Sequence, residues 1–160
     1  MQMRRKDREI TDIAEIKRIL GENKVMRVGM CIDGVPYITP VNFGYELSEG
    51  RYTFWFHGAC KGRRIETIEK NPCVFIEIDN GCEITGGRTA CDYSCDYESV
   101  MAQGTARILE RYEEKRKGLI ALMKHQTGMD FDFAPEDTEN VAVFEVIADW
   151  VTAKARASGK

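Results

Sequence analysis

Hydrophobic and polar positions follow a helical spacing near the N-terminus. In the segment TDIAEIKRILG, apolar residues three and four positions apart form one stripe, which consists of Ile13, Ile16, Ile19 and Leu20. This spacing predicts a short helix. Thr11 can cap its beginning and Gly21 can end it. Two further helices are predicted, one before Asn71-Pro72 and a highly charged one from about Glu110 to Lys124.

Most of the remaining chain has the alternation or the apolar composition of β-strands. Six segments qualify: VMRVGMCI, VPYITPVNFGYE, RYTFWFH, CVFIEI, YESVMAQGTARIL and VAVFEVIADWVTAKA. Asp33-Gly34 predicts a two-residue hairpin turn between the first two segments. Gly104 is a candidate β-bulge in the fifth segment. Aromatic residues occupy both faces of RYTFWFH, which predicts a strand in the centre of the sheet.

The links between successive strand segments set the fold class. Most of them are short, and short links favour antiparallel pairing. We therefore predict an α+β fold that is mainly β, with six antiparallel strands forming a small barrel and helices at its periphery. The length of 160 residues and the hydrophobic content of 43% suit one globular domain over residues 1–160.

Two prolines mark the segment VPYITPVNFGYE. Pro36 and Pro40 are four residues apart, so both lack an N–H group on the same edge of the strand. This edge cannot carry a complete hydrogen-bond ladder. It is either an ordinary outer edge of the sheet or a place where free backbone groups meet a ligand.

The segment FHGACKGRRIETIEKNP places cations at an unusual position. It predicts a strand that ends at His57 and a helix that begins near Gly62, with Lys61, Arg63 and Arg64 in or beside the first turn. A helix N-terminus already carries partial positive charge. The three cations either point into water, at a cost of about a few tenths of a kcal/mol, or surround a bound phosphate. The chain has no Walker motif and no GxGxxG sequence, which favours a compact phosphate-bearing cofactor.

Composition narrows the classes of partner. The net charge of −3 gives no support for binding to nucleic acid or to an anionic membrane. No apolar run is long enough to span a bilayer, and the charged N-terminus does not resemble a signal peptide. We therefore expect a cytoplasmic protein whose six cysteines are thiols. No cysteine or histidine spacing is typical of a zinc site, so no metal is expected.

In order and spacing, several of these motifs resemble the flavin-binding split barrels related to pyridoxamine 5'-phosphate oxidase, and most of all their nitroimidazole-resistance branch. The similar segments cover roughly residues 12 to 155. They are Pro36 to Phe43, Phe56-His57-Gly58, Gly62-Arg63-Arg64, Asn71-Pro72 and Tyr97 to Val100. Two positions depart from the pattern of the family: Arg64 stands where lysine is frequent, and Ala153-Lys154 replaces a Gly-Lys step.

The resemblance implies a homodimer with FMN in a cleft between the subunits. It implies that the backbone from Tyr37 to Asn42 runs beside the flavin ring, and that Arg63 and Arg64 hold the phosphate. His57 is implied to lie at the flavin and is the candidate catalytic residue. Ser99 and Gln103 are implied to approach from the partner subunit or from the strand behind. The full set of implied cofactor-binding residues is Tyr37, Ile38, Thr39, Pro40, Val41, Asn42, Phe56, His57, Gly58, Lys61, Arg63, Arg64, Ser99 and Gln103.

Two classes of function follow from this resemblance. The first is an FMN-dependent oxidoreductase that reduces a small electrophile such as a nitroaromatic compound, with NAD(P)H as a candidate electron donor. The second is a non-enzymatic module that binds flavin or haem, or senses redox state. The chemistry of the first would come from the flavin, and the protein would supply position and electrostatics.

Overall fold

The computed structural model describes residues 3–156, which form three α-helices and eight β-strands. The helices are α1 (Ile13–Glu22), α2 (Arg63–Lys70) and α3 (Tyr112–Thr127). The strands are β1 (Glu9–Ile10), β2 (Val25–Ile32), β3 (Val35–Asn42), β4 (Gly44–Ser48), β5 (Arg51–Gly58), β6 (Cys73–Thr85), β7 (Ser94–Leu109) and β8 (Ala142–Arg156). The two residues at the N-terminus and the four at the C-terminus of the predicted domain lie outside the described residues.

The strands form one antiparallel sheet in the order β3-β2-β6-β7-β8-β5-β4, with β1 paired to β8. Strands β3 and β4 are consecutive in the chain but stand at opposite ends of this order, and β3 also lies against β5. The sheet therefore curls into the predicted split barrel. The expected mainly β class is confirmed.

The strand count is eight rather than the predicted six. The segment VPYITPVNFGYE divides at Phe43, which is fully buried between β3 and β4. The alternation of apolar residues continues through this point, so the sequence pattern does not show the break. The two-residue strand β1 is too short to produce a pattern of its own.

Buried aromatic residues fill the barrel and the layer outside it. The largest fully buried side chains in the barrel are Phe43, Phe54, Phe56 and Phe144. Trp55 belongs to a second cluster with Leu119 and Val143, between β5, β8 and α3. Because β5 pairs with both β4 and β8 and buries residues on both faces, its predicted central position is confirmed.

The predicted hairpin turn is present, and a β-bulge lies at Gly104, although its extra residue is on the partner strand β8 and not on β7. Asp33 and Gly34 adopt positive φ angles of 51° and 78° and join β2 to β3 in a two-residue turn. The register of β7 and β8 shifts between Gln103 and Gly104, so that Asp149 is the extra residue on β8. A Cβ atom at Gly104 would collide with the backbone of Ile147. The glycine therefore permits the close approach of the two strands at the bulge.

The ends of helix α1 differ from the prediction. Asp12, rather than Thr11, caps α1, because its carboxylate accepts a hydrogen bond from the Ala14 N–H at 2.9 Å. The helix also continues through Gly21 to Glu22. Threonine and aspartate are both good N-cap residues, so the local sequence did not distinguish Thr11 from Asp12.

Two of the six cysteines form a disulfide, and the other four are free thiols. Cys82 and Cys95 form a disulfide between β6 and β7, whereas Cys31, Cys60, Cys73 and Cys91 are thiols. The expectation of six thiols is therefore wrong for one pair. Their sequence separation of 13 residues does not reveal the contact, because it arises from the antiparallel ladder in which Cys95 is opposite Ile84. No helix within residues 3–156 is both long and apolar enough to cross a membrane.

Candidate flavin site

A cleft of about 380 Å³ opens where α2 begins, between β3 and the end of β5. Its walls include three cations, Lys61, Arg63 and Arg64, and no carboxylate. None of the ion pairs found between residues 3 and 156 involves these cations. The cleft therefore has the electrostatic character expected of an anion site.

Arg64 connects the three elements that form the cleft. Its Nη1 donates to the backbone carbonyl of His57 at 3.2 Å, and its Nη2 donates to Thr39 Oγ1 at 3.1 Å. The guanidinium also lies over the Phe56 ring, 5.6 Å from the centroid. The side chain is thus held between β3 and β5, and it does not extend freely into water.

The Nε atom of Arg64 is buried and has no hydrogen-bond partner among the described residues. A buried donor without a partner costs free energy, on the order of 1–3 kcal/mol. An anion bound at this guanidinium would satisfy the donor. This buried N–H group without a partner is the first observation that fits a phosphate-bearing cofactor.

The N-terminus of α2 presents further donors to the cleft. Gly62 is the N-cap residue and offers no side-chain cap, so the first N–H groups of the helix lack a partner of that kind. Gly62 has a φ of 122°, which favours glycine. Arg63 follows and places its guanidinium 4.7 Å from the centroid of the Tyr37 ring. Lys61 precedes the N-cap, so it lies beside the first turn of the helix and outside it.

Gly58 allows Arg64 to reach its position. A Cβ atom at residue 58 would lie 2.6 Å from Arg64 Nη1, which is too close for a nonbonded contact. The ordinary backbone of Gly58 does not itself require glycine. The lack of a side chain at Gly58 therefore leaves room for the Arg64 guanidinium.

The structure brings most of the predicted residues together. Those that line the cleft are Tyr37, Pro40, Val41, Asn42, His57, Gly58, Lys61, Arg63 and Arg64. Thr39 and Phe56 contact Arg64 from beneath. Ile38 does not line the cleft, and 65% of its surface is exposed.

His57 stands at the edge of the cleft with an exposed side chain. Its backbone carbonyl is occupied by Arg64, while no hydrogen bond of its imidazole is found within residues 3–156. The ring is therefore available to a ligand. Its assignment as a catalytic residue remains a prediction.

Ser99 and Gln103 lie on β7, outside the walls of the cleft. Ser99 lines a second cavity, and the amide of Gln103 donates to Cys73 Sγ at 3.8 Å. One chain by itself does not bring these two residues to the cations. Their predicted contact with a flavin would have to come from a partner subunit.

Three residues at the site, Ala59, Gly62 and Phe144, are missing from the set of cofactor-binding residues predicted from the sequence. Ala59 and Gly62 line the cleft, although the motif containing Gly62 was recognised. Phe144 stacks on Phe56 with ring centroids 4.6 Å apart and lies 5.9 Å from the Arg64 guanidinium. Strand alternation predicts that Phe144 is buried, but only the pairing of β5 with β8 places it under Arg64. Within residues 3–156 no group of three or more metal-binding side chains is placed to hold an ion.

Comparison with known proteins places the chain in a family. The family model described as pyridoxamine 5'-phosphate oxidase matches residues 12–155. The chain belongs to this flavin-binding family. The family includes oxidoreductases, and its match covers the cleft, helix α2 and both long strands β7 and β8. The predicted resemblance is thereby confirmed.

Several solved structures have the same fold as this chain. A candidate 5-nitroimidazole antibiotic resistance protein from Bacteroides thetaiotaomicron is 32% identical, with a TM-score of 0.79, over 92% of this chain and 86% of that one. The flavocytochrome Anf3 from Azotobacter vinelandii is 23% identical, with a TM-score of 0.77, over 98% and 73%. An FAD and haem binding protein from Mycobacterium smegmatis is 16% identical, with a TM-score of 0.79, over 94% and 74%. The last two show the fold alone. A search among curated proteins gave no match.

Proposed function

We propose that this protein is an FMN-dependent oxidoreductase that reduces a small electrophile such as a nitroaromatic compound. The observation that carries the proposal is Arg64, whose guanidinium is held by His57 and Thr39 and retains one buried N–H without a partner. An FMN phosphate at the N-terminus of α2 would satisfy this group. It would also neutralise the unpaired cations of the cleft.

The residues around the cleft have separate roles in this proposal. Arg63, Arg64 and the first N–H groups of α2 bind the phosphate. The backbone of β3 from Tyr37 to Asn42 lies along the flavin ring, and His57 contacts the flavin or the substrate. The bound flavin supplies the redox chemistry by accepting electrons singly or in pairs and passing them on.

The proposal includes a homodimer with the flavin between the subunits. Strand β3 is an edge strand, and beside the cleft it exposes an apolar strip made of Pro36, Ile38 and Pro40. A partner that covers this strip would remove apolar surface from water. It would also bring Ser99 and Gln103 to the flavin from the other chain.

The substrate class is drawn from the relative with the highest sequence identity among those described above. That protein is a candidate for 5-nitroimidazole resistance, and its similarity extends over most of both chains. NAD(P)H is the proposed electron donor.

The cofactor is tested by visible absorption spectra of the purified protein before and after addition of FMN, FAD or a deazaflavin. We expect an FMN spectrum that is lost when both Arg63 and Arg64 are replaced by alanine. The matched control is Lys6→Ala/Lys70→Ala, which removes two exposed cations outside the cleft. Equal FMN binding by both double variants would refute the phosphate assignment. A preference for FAD or deazaflavin would refute FMN.

Catalysis is tested on the flavin-loaded protein under anaerobic conditions. NAD(P)H should bleach the flavin, and a nitroaromatic compound should restore its absorption over many cycles. Bound flavin that no donor reduces would instead favour the non-enzymatic alternative. If the protein carries haem whose absorption disappears in His57→Ala, the haem-binding version of that alternative would be correct.

A further inference from the structure

Gln126, near the end of α3, contacts the wall of the cleft at Asn42. Its Oε1 accepts a hydrogen bond from Asn42 Nδ2 at 3.2 Å. Its Nε2 donates to two backbone carbonyls, that of Lys24 at 3.1 Å and that of Phe43 at 2.8 Å. Asn42 lines the cleft, whereas no residue of α3 does. The helix thus acts on one wall of the cleft through this side chain.

The two carbonyls fix the orientation of the Gln126 amide. A backbone carbonyl only accepts hydrogen bonds, so the NH2 group of Gln126 is the end that faces Lys24 and Phe43. The oxygen of the amide then faces Asn42 and can only accept. The network itself therefore determines which end of the Gln126 amide is the oxygen.

The amide of Asn42 is oriented in turn. Its Nδ2 donates to Gln126 Oε1 and also, at 3.0 Å, to the Lys24 carbonyl. Both N–H groups of the amide are thereby used. Its Oδ1 has no hydrogen bond within residues 3–156, and the residue is exposed where it lines the cleft. Asn42 therefore offers a ligand an acceptor and no donor.

The packing of α3 gives Gln126 a fixed position. A Cβ atom at Gly44 would lie 2.4 Å from the backbone of α3, so the helix is in contact with the start of β4. Lys24 Nζ donates to the His125 carbonyl at 2.5 Å, and the His125 ring lies 4.5 Å from the Phe43 ring between centroids. These contacts hold the end of α3 against the same two segments that the Gln126 amide binds.

Asn42 differs in polarity from the rest of the cleft. The other polar side chains at the start of α2 are cations, and no carboxylate lines the cleft. Thr39, which binds Arg64, precedes Asn42 by three residues on β3, about 10 Å along an extended strand. A ligand whose anion lies at Arg64 therefore meets the acceptor with a part of the molecule remote from the anion. The cleft favours a ligand with an anion at one end and a hydrogen-bond donor at the other.

We infer that Gln126 is a positioning residue that holds Asn42 Oδ1 as the acceptor for the ring N–H of the bound flavin. The identity of the ligand rests on the function proposed above. Oxidised FMN has one ring N–H, the imide N–H, and its phosphate is at the end of the ribityl chain. Without Gln126 the Asn42 amide is free to turn, and its NH2 group would then oppose the imide N–H.

The test compares FMN with N3-methyl-FMN, in which a methyl group replaces the imide hydrogen. Dissociation constants are measured by fluorescence titration. We expect the wild type to bind FMN at least about tenfold more tightly than the methylated flavin, because only FMN donates to Asn42. In Gln126→Met and in Asn42→Ala this preference should fall to about threefold or less. If Gln126 only supports the fold, both flavins bind more weakly by the same factor, and an unchanged preference would overturn the inference.

A double variant tests whether Gln126 acts through Asn42. Asn42→Ala/Gln126→Met should bind FMN no more weakly than Asn42→Ala alone, and additive losses would contradict the positioning role. Thr127→Ala is the control, because the hydrogen bonds of this neighbouring hydroxyl go to Met123 and Met129 and not to the cleft. Its preference for FMN should equal that of the wild type. Asn42 is exposed, so Asn42→Ala remains informative if Gln126→Met does not fold.

Failure of this inference is distinguishable from failure of the proposed function. If the wild type binds neither flavin, the proposed function is refuted and the inference falls with it. If the wild type binds FMN but shows no preference over N3-methyl-FMN, or if both single variants keep the preference, only the role of Gln126 and Asn42 is overturned.

Discussion

Arg64 Nη2 donates a hydrogen bond to Thr39 Oγ1 over 3.1 Å and thereby joins helix α2 to the edge strand β3. Thr39 is 8% exposed, so the contact is shielded from water. The other terminal nitrogen of the same guanidinium bonds to the carbonyl of His57 on β5. One side chain thus spans the opening between two strands that have no ladder pairing in residues 3–156.

This relationship predicts that Arg64→Lys is not a conservative change. Lysine has a single ammonium group and cannot reproduce the planar fork that reaches both acceptors. We expect the free energy of unfolding to fall by about 1–2 kcal/mol, measured by urea denaturation. FMN affinity should fall less than in Arg64→Ala, because lysine retains the charge. Arg63→Lys is the matched control and should change stability by about 0.5 kcal/mol or less, since its cation only lies over Tyr37.

The space at Gly58 gives a second prediction. Gly58→Ala should displace the Arg64 guanidinium from the His57 carbonyl, because the new Cβ would lie 2.6 Å from Nη1. We expect FMN to bind about tenfold more weakly, the equivalent of about one charge-assisted hydrogen bond. The measurement is a fluorescence titration. In an Arg64→Ala background the same change should have no further effect, and a full additive loss would contradict this explanation.

A third prediction concerns the contact between β4 and α3. A Cβ atom at Gly44 would collide with the backbone of Ala121 and Leu122, which cannot rotate away. Gly44→Ala should therefore destabilise the protein by about 1–3 kcal/mol or more. Gly21→Ala is the control, because it lies within α1 with nothing near its Cβ position. It should stabilise the protein by about 0.5–1 kcal/mol, and both values are measured by chemical denaturation.

A fourth prediction concerns pH. Burial lowers the pKa of His125 below its ordinary value of 6.5, and the hydrogen bond between its Nε2 and the Asn23 carbonyl, at 2.8 Å, only partly opposes this. The unfolded chain therefore binds a proton at a higher pH than the folded chain does. The contribution of the neutral ring to stability is complete above pH 6.5 and is lost as the pH falls toward the lowered pKa of the folded state.

The measurement is the free energy of unfolding between pH 7.5 and about pH 5.5, where most carboxylates stay ionised. Stability should decline as the pH is lowered through this range, and His125→Gln should flatten the decline. His57→Gln is the control, because the sequence has two histidines and the side chain of His57 is exposed. An equal slope in wild type and His125→Gln would show that another group titrates.

Local sequence patterns predicted several elements of the fold correctly. Helix α2, the turn at Asp33-Gly34, the bulge at Gly104 and the open edge of β3 all depend on residues that are neighbours in the chain. Glycine and proline restrict their own backbone wherever they stand, so such features can be predicted without knowledge of the fold. The cationic cleft was predicted for the same reason, since Lys61, Arg63 and Arg64 belong to one short segment.

Other features depend on contacts between distant segments, and local patterns do not contain them. The division of one predicted strand at Phe43 and the disulfide between Cys82 and Cys95 both follow from how the elements pack. The hydrogen bond between Asn42 and Gln126 joins residues 84 positions apart, and only the packing of α3 on β4 brings them together.

The sequence by itself determined the mainly β class, the position of most strands and helices, and the cationic segment at the start of α2. Only the tertiary structure decided which partners those cations have. The closure of the barrel brings β3 against β5, and the pairing of β5 with β8 places Phe144 on Phe56 beneath Arg64. Strand register and barrel closure result from the packing of the whole core, because each strand could satisfy its own alternation against several partners.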